Sequence, residues 1–237
     1  MRQNRFLGDF DLDTGRVTLR DRDIVHQIVR VLRLKTGERI VLGDGAGYDA
    51  EGAITSFGKN EIEVVLEKKR KNECEPSRRV ILYVAVLKRE NFEYAAMKAT
   101  EAGVAEIRPL VTARTVKTGL NLERLRKIVK EAAEQSGRGV IPGVSEPRPF
   151  AEAVQDAKKH SASLFFSTEA RAKDISVEPC AADATVGVFI GPEGGWTREE
   201  EEEASRAGFV LSSLGSLTLR AETAALVSVY LAVHGKV

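Results

Sequence analysis

Residues 80 to 87 read Val-Ile-Leu-Tyr-Val-Ala-Val-Leu, an apolar run with no polar alternation. A strand half-exposed to water alternates apolar and polar residues, so an unbroken run asks for cover on both faces. The next hundred and fifty residues supply that cover. A helix is expected from about Asn91 to Ala102, with Phe92, Ala95, Ala96 and Ala99 on one face and Gly103 as its stop. Ile107 to Val111 reads as a strand, and Asn121 caps a helix whose Leu122, Leu125, Ile128, Val129, Ala132 and Ala133 keep helical spacing to Gly137. Helices are expected at 150–159, 198–207 and 221–234, and strands at 163–167, 185–190 and 209–214. This alternation predicts an α/β domain over residues 80–237, with a mostly parallel sheet and helices on both faces.

The chain before it has a different grain. Arg16–Leu19 and Glu38–Leu42 read as short strands, with Asp23 capping a helix from Ile24 to Val31 between them. Tyr48 to Phe57, Gly58-Lys59-Asn60 and Glu61 to Leu66 read as a hairpin with a glycine-containing turn. Short strands with turn signals predict a small β-barrel over residues 1–70. Residues 71–79, charged and carrying Pro76, read as a linker.

The formal net charge of +1 over 237 residues does not announce a polyanion partner, but the distribution is uneven. Arg20, Arg22, Arg30, Arg33 and Lys35 fall early, whereas acid gathers in Glu199–Glu203. That acidic run reads as the first turn of a solvated helix, where carboxylates favour the dipole. Cys74 and Cys180 have no metal-ligand spacing, and His26, His160 and His234 are scattered, which argues against a zinc site and a disulfide framework. No apolar stretch is long enough to span a bilayer. A cytoplasmic protein is the expectation.

Three connections after expected strands invite a ligand. They are Ser167-Thr168-Glu169-Ala170, then Gly191-Pro192-Glu193-Gly194-Gly195-Trp196, then residues 214–223. In the second, Thr197 and Glu200 have capping-box spacing for the next helix. Ligands of open α/β sheets bind beyond the carboxyl ends of the strands, and parallel strands would bring all three loops to one edge. The spacing is not a dinucleotide fingerprint, and no Gly-Lys-Ser/Thr comes after it to make a phosphate loop. Backbone groups, with Leu214 and Leu219 as apolar sides, could surround an adenosine-like ligand. Lys88 could reach the same edge. Arg138, just after the helix stop at Gly137, is either a carbonyl cap or an anion contact.

Ile190 to Trp196, together with Leu214-Gly215 and Leu219-Arg220-Ala221-Glu222-Thr223-Ala224, resembles the ribosomal RNA small subunit methyltransferase E family of the SPOUT superfamily. His26 to Leu34, Lys98 to Val104 and Glu134 to Arg138 match further family segments in order, so the likeness spans nearly the whole chain. It implies an N-terminal PUA-like β-barrel followed by a SPOUT-type domain with a C-terminal trefoil knot. It further implies S-adenosylmethionine as methyl donor, a homodimer, and methylation of N3 of one uridine in 16S ribosomal RNA, as naked RNA or in the small subunit.

Carried onto this chain, the resemblance assigns the cofactor to Ser167, Thr168, Ile190, Gly191, Pro192, Glu193, Gly194, Gly195, Leu214, Gly215, Leu219 and Thr223. RNA contacts fall to Arg5, His26, Arg30, Arg33, Lys35, Lys88 and Arg138. Arg220 is the expected catalytic cation, with Glu222 beside it in a capping or orienting role. Ala99-Thr100 and Ser216-Leu217-Thr218 depart from the common family pattern and bear on fine RNA preference. Three rivals stand beside this reading: another RNA methyltransferase of the superfamily, a non-catalytic RNA-binding protein, and a nucleotide-binding oxidoreductase, which would need the dinucleotide fingerprint that is absent.

Overall fold

The computed structural model describes residues 4–116, 119–168, 173–174 and 184–235. Cys180, Glu169 and Ala170 lie outside the described residues. The chain divides into two compact units: residues 1–75 with 133–141, and residues 76–132 with 142–237. The first unit therefore runs past the expected boundary at residue 70 and takes a later segment as well.

In the first unit, β1 (Asn4–Leu7), β2 (Arg16–Leu19), β3 (Arg39–Gly43), β4 (Tyr48–Phe57), β5 (Ile62–Leu66) and β6 (Arg70–Lys71) make one sheet in the order β1-β3-β4-β5-β2, with β6 on β4. All pairings are antiparallel except β1 with β3. Phe6, Leu19, Ile28, Ile40, Leu42, Ile54 and Ile62 fill its core. Helix α1 spans only Arg22–His26, capped by Asp21, whose side chain accepts from the Asp23 and Ile24 amides. The expected cap at Asp23 is thus corrected by two residues. Gln27–Val31 continues as a π-helical turn rather than as regular helix. Arg33, beyond it, lies in the left-handed region at φ 54°.

Residues 133–141 are sewn to this unit by polar groups. The Leu7 amide donates to Glu134 Oε1 at 2.8 Å. Glu75 Oε1 accepts from the Gly139 and Val140 amides at 2.9 and 3.0 Å, and Glu75 Oε2 accepts from Arg138 Nη2 at 2.9 Å. Asp49, 3 % exposed, accepts from Arg5 Nη1 and from Asn72 Nδ2. Asn72 Nδ2 also reaches the Gly137 carbonyl oxygen.

The second unit is built on an eight-stranded sheet of β7 (Arg79–Ala85), β8 (Glu106–Val111), β9 (Gly143–Val144), β10 (Arg148–Pro149), β11 (Ala162–Phe166), β12 (Lys173–Asp174), β13 (Thr185–Ile190) and β14 (Val210–Ser213). The order is β10-β8-β7-β13-β11-β14-β12, with β9 on β8, and every pairing is parallel. Val80 to Leu87 is buried throughout, as its lack of alternation requires. Helices α2 (Arg89–Glu101) and α6 (Ala221–His234) pack together, with α6 against β7 and β13. Helices α4 (Phe150–Ala157) and α5 (Arg198–Arg206) cover an aromatic core of Tyr83, Phe150, Phe165, Phe189, Trp196 and Phe209. Tyr83 and Phe189 stack at 4.4 Å. Helix α3 (Leu122–Ser136) starts at Asn121, whose side chain accepts from the Arg124 amide.

One polar cluster enters that core. The Tyr83 hydroxyl donates to Asp156 Oδ2 at 2.9 Å and meets His160 Nε2 at 2.8 Å and Arg108 Nη1 at 2.9 Å. Arg108 is ion-paired with both Asp156 and Glu106. Burial, seconded by the Asp156 contact, pushes the Tyr83 hydroxyl well above its usual range. Burial, seconded by the Arg108 charge, holds the His160 imidazole below its ordinary value.

Candidate active site

Parallel pairing brings the expected loops to one edge of the sheet. Phe166 stands level with Ile190 and with Ser212, and Ile190 with Val84. The connections after β11, β13 and β14 therefore leave the same edge of the sheet, as do those after β7 and β8. This is the carboxyl edge, where open α/β sheets take their ligands.

The glycine-rich turn is held from several sides. Pro192 and Trp196 are buried, while Glu193 and Gly194 are exposed. The Gly195 amide donates to the Pro192 carbonyl at 2.9 Å, and Gly195 takes φ 71°. Trp196 Nε1 donates to the Phe166 carbonyl at 2.9 Å, fastening the turn to the end of β11. A Cβ at Gly191 would come within 3.0 Å of the Trp196 ring, so the indole occupies the place of a side chain there. Gly194 differs: a Cβ would meet nothing nearer than 3.5 Å, from Arg114. The fold alone therefore leaves room for a side chain at Gly194.

Arg114, on the loop after β8, is the residue that the sequence reading missed. Its Nη1 donates to the Gly194 carbonyl at 2.7 Å and to the Trp196 carbonyl at 3.0 Å. The neighbouring Ala113 amide donates to Glu200 Oε1 at 2.9 Å, while Glu200 Oε2 accepts from the Thr197 amide. Thr197 and Glu200 form the expected capping box on α5. Glu200 is buried, which corrects the picture of Glu199–Glu203 as a wholly solvated run. Only a strand-end position could have flagged Arg114, since its partners lie 80 and 82 residues away.

The other expected site residues are spread around the same loops. Ser167 and Thr168 come directly after β11, and the Ser167 hydroxyl donates to Glu201. Ile190 is buried, so only its backbone faces the edge. Leu214, Leu219 and Thr223 are half-buried, and Gly215 takes φ 101° within the third loop. Arg220 is exposed at the N-cap position of α6, where its carbonyl accepts from the Ala224 amide and its side chain makes no cap. Glu222, in the first turn, is buried. Lys88 is exposed at the start of α2. Among the described residues no cluster of His, Cys, Asp and Glu could hold a metal ion.

The expected RNA-binding residues separate into two groups. His26, Arg30, Arg33 and Lys35 are exposed on the first unit. Arg5 and Arg138 are not surface cations: their side chains are 15 % and 6 % exposed and spent on Asp49 and Glu75. Both are corrected to structural ion pairs. The Glu134–Arg138 segment works as a fastening of the first unit, with Gly137 as the helix stop at φ 85°.

Comparison with known proteins bears on this edge. A family model described as an RNA methyltransferase domain matches residues 73–233, and one described as an RNA methyltransferase PUA domain matches residues 19–67. A ribosomal RNA small subunit methyltransferase E from Rickettsia conorii is 32% identical over 235 residues, covering 97% of this chain and 94% of its own. The chain belongs to the ribosomal RNA small subunit methyltransferase E family. The Bacillus subtilis member is 30% identical, with 85% of this chain and 84% of its own covered. A crystal structure of the Neisseria gonorrhoeae member, bound to S-adenosyl methionine, superposes with a TM-score of 0.87 at 30% identity, covering 96% of this chain and 95% of its own. Membership confirms the expected α/β fold with its PUA-like N-terminal domain.

Proposed function

We propose that the protein transfers a methyl group from S-adenosylmethionine to N3 of one uridine in the 16S ribosomal RNA of the small ribosomal subunit. The observation that carries the reading is the convergence of the Gly191–Trp196 turn with the loops after β11 and β14 on one sheet edge, in a chain of this family. The residues fit the donor. Gly194 is exposed and carries no side chain, its carbonyl held by Arg114, and Leu214 and Leu219 on the third loop add half-buried apolar surface suited to an adenosine. Ser167, Thr168, Ile190–Gly195, Leu214, Gly215, Leu219 and Thr223 would hold it.

The bound donor supplies an electrophilic methyl, so this chain's task is position and proton. Uridine N3 must first give its proton to water, leaving a nitrogen anion whose lone pair takes the methyl group. Arg220, exposed at the start of α6, is the group for stabilising the resulting negative charge or gripping the adjoining phosphate. Glu222, buried in the first helical turn, suits orientation rather than proton abstraction.

Three finer features belong to the same proposal. A trefoil knot is supported by the strand order, in which β13 sits between β7 and β11 while the later β14 lies outside β11. A homodimer is supported by α6, whose residues are apolar around most of its girth and leave Tyr230 56% exposed. Closure of the first sheet into a barrel suits its short strands. Among the described residues no helix is long and apolar enough to cross a membrane, and the cytoplasm is where such a substrate would be met.

The test is methyl transfer to small subunits isolated from cells lacking the protein, with labelled donor and nucleoside analysis of the product. Label in 3-methyluridine is expected. Label in another nucleoside, or none, overturns the assignment.

A further inference from the structure

The first unit carries a cavity of about 770 Å³, between α1 with its π turn and the tip of the β4–β5 hairpin. Its apolar lining is Val25, Val29, Leu34 and Phe57. Val29 and Phe57 are 38% and 39% exposed. Clefts of roughly 300–1,000 Å³ hold small organic ligands, and this one adds many polar side chains to its apolar ones.

Charge narrows the occupant. Arg22, Arg30, Lys35 and Lys59 line the same cavity, and among the described residues none of them makes an ion pair. Elsewhere on this unit Arg20, Arg39, Lys69 and Arg70 are paired with carboxylates. Glu61, the acid in the lining, is engaged by Arg20 at 3.1 Å. Unneutralised cations in one cavity with apolar side chains suit a ligand that is flat and apolar at one end and anionic at the other.

The backbone marks the same wall. Gln27–Val31 adopts a π turn, with the Leu32 amide donating to the Gln27 carbonyl at 2.8 Å. Arg33, at φ 54°, is the one non-glycine in the left-handed region among the described residues. Such departures persist where the surroundings enforce them, and they gather at functional sites. Here both fall on the segment that supplies Val29, Arg30, Leu34 and Lys35 to the cavity.

We propose that this cavity receives one or two unstacked nucleotides of a single-stranded segment of the RNA substrate. Bases lie against Phe57, Val29 and Leu34, and phosphates lie against Arg22, Arg30, Lys35 and Lys59. The inference rests on the RNA substrate proposed above and adds where, and in what state, part of that RNA is held. Stacking on an aromatic ring tolerates any base, while the cations track the backbone.

The test uses the full chain and a short fluorescent single-stranded RNA, with an RNA duplex and polyglutamate as comparison ligands. Phe57→Ala is expected to weaken single-strand binding about 5- to 150-fold. Phe57→Tyr should stay near the unmodified protein, which separates loss of stacking from loss of fold. The Arg30→Gln/Lys35→Gln pair should lower the salt slope by about 1.4, from two phosphate contacts on a single strand. S-adenosylmethionine affinity should be unchanged in all of them. Unchanged single-strand affinity and salt slope in the Ala and Gln variants overturn the proposal, as does failure of the unmodified protein to bind the oligonucleotide. Polyglutamate competing equally well, with no effect of Phe57→Ala, also overturns it in favour of an unspecific anion surface. If methyl transfer to small subunits persists in those cases, the proposed function survives; absence of transfer by the unmodified protein defeats that function separately.

Discussion

Arg114 Nη1 lies 2.7 Å from the Gly194 carbonyl oxygen, joining two strand-end loops 80 residues apart. A charged donor to a backbone carbonyl is worth about 1.5–3 kcal/mol. Here it sets the shape of the turn proposed to hold the methyl donor. Arg114→Ala should therefore weaken S-adenosylmethionine binding by about one power of ten and lower the thermal midpoint by a few degrees. Arg114→Lys should recover only part, because an ammonium lacks the planar fork. Titration calorimetry beside a melting curve reads both. Unaltered affinity in Arg114→Ala would remove the residue from the site.

Gly194 gives a cleaner probe than its neighbours. A Cβ there meets only Arg114, at ordinary contact distance, whereas one at Gly191 would press on Trp196 at 3.0 Å. Gly194→Val is expected to keep the fold and lose most cofactor affinity, while Gly191→Val should lose stability as well. Circular dichroism melts with calorimetry distinguish them. Full affinity in a folded Gly194→Val variant would move the binding site elsewhere.

Arg220 is expected to act on the reaction rather than on the fold. Its side chain makes no cap on α6 and is exposed. Arg220→Ala should keep cofactor affinity and lose methyl transfer by about two to three powers of ten, the scale of a removed oxyanion donor. Arg220→Lys should restore little. Single-turnover transfer to undermethylated subunits is the measurement; near-normal turnover would exclude a catalytic role.

For Arg138 the expectation is reversed. Removing it takes the counter-charge from a partly buried Glu75, which keeps the Gly139 and Val140 amides, and breaking a buried pair costs about 3–5 kcal/mol. The exposure of Glu75 places Arg138→Ala at the lower end of that range, read as a reduced urea midpoint. RNA affinity of the folded protein should hardly move, in contrast to Arg30→Gln.

The cluster around Tyr83 makes stability depend on pH. Burial, and then the Arg108 charge, lowers the folded-state pKa of His160 below its ordinary 6.5. The unfolded chain then binds a proton before the folded one does, so stability is full above about pH 6.5 and falls as the pH drops below it. Urea midpoints measured across this window should decline for the native sequence and decline less for His160→Asn.

Much of this architecture was legible locally. Strand β13 and helix α6 occur at their expected bounds, because a β-branched apolar run and an N-terminal change of composition are signals carried by adjacent residues. The capping box of α5 was readable for the same reason. Short-range signals failed where a partner lay far along the chain. Arg5 and Arg138 look like surface cations until Asp49 and Glu75 are beside them, 44 and 63 residues distant. Strand β1 was not read because it is short and pairs in parallel with β3. The π turn departed from a pattern that looked helical to Val31, and two aspartates competed for the cap. Within the candidate site the loops were visible as connections after expected strands, two of them carrying glycines, but Arg114 was not, since a lone loop arginine gives no hint of which carbonyls it will meet.

The late segment in the first unit has a consequence for how the chain comes off the ribosome. Glu75 leaves with its partners Arg138, Gly139 and Val140 still untranslated, and the Leu7 amide likewise waits for Glu134. The 66 residues from Pro76 through Ile141 take roughly 3–13 s to synthesise at about 5–20 residues per second. During that interval the first unit exists without its closing segment. A chain arrested at residue 75 should accordingly be more open to protease than the same residues in the finished protein, and extending the arrest point past residue 141 should restore resistance.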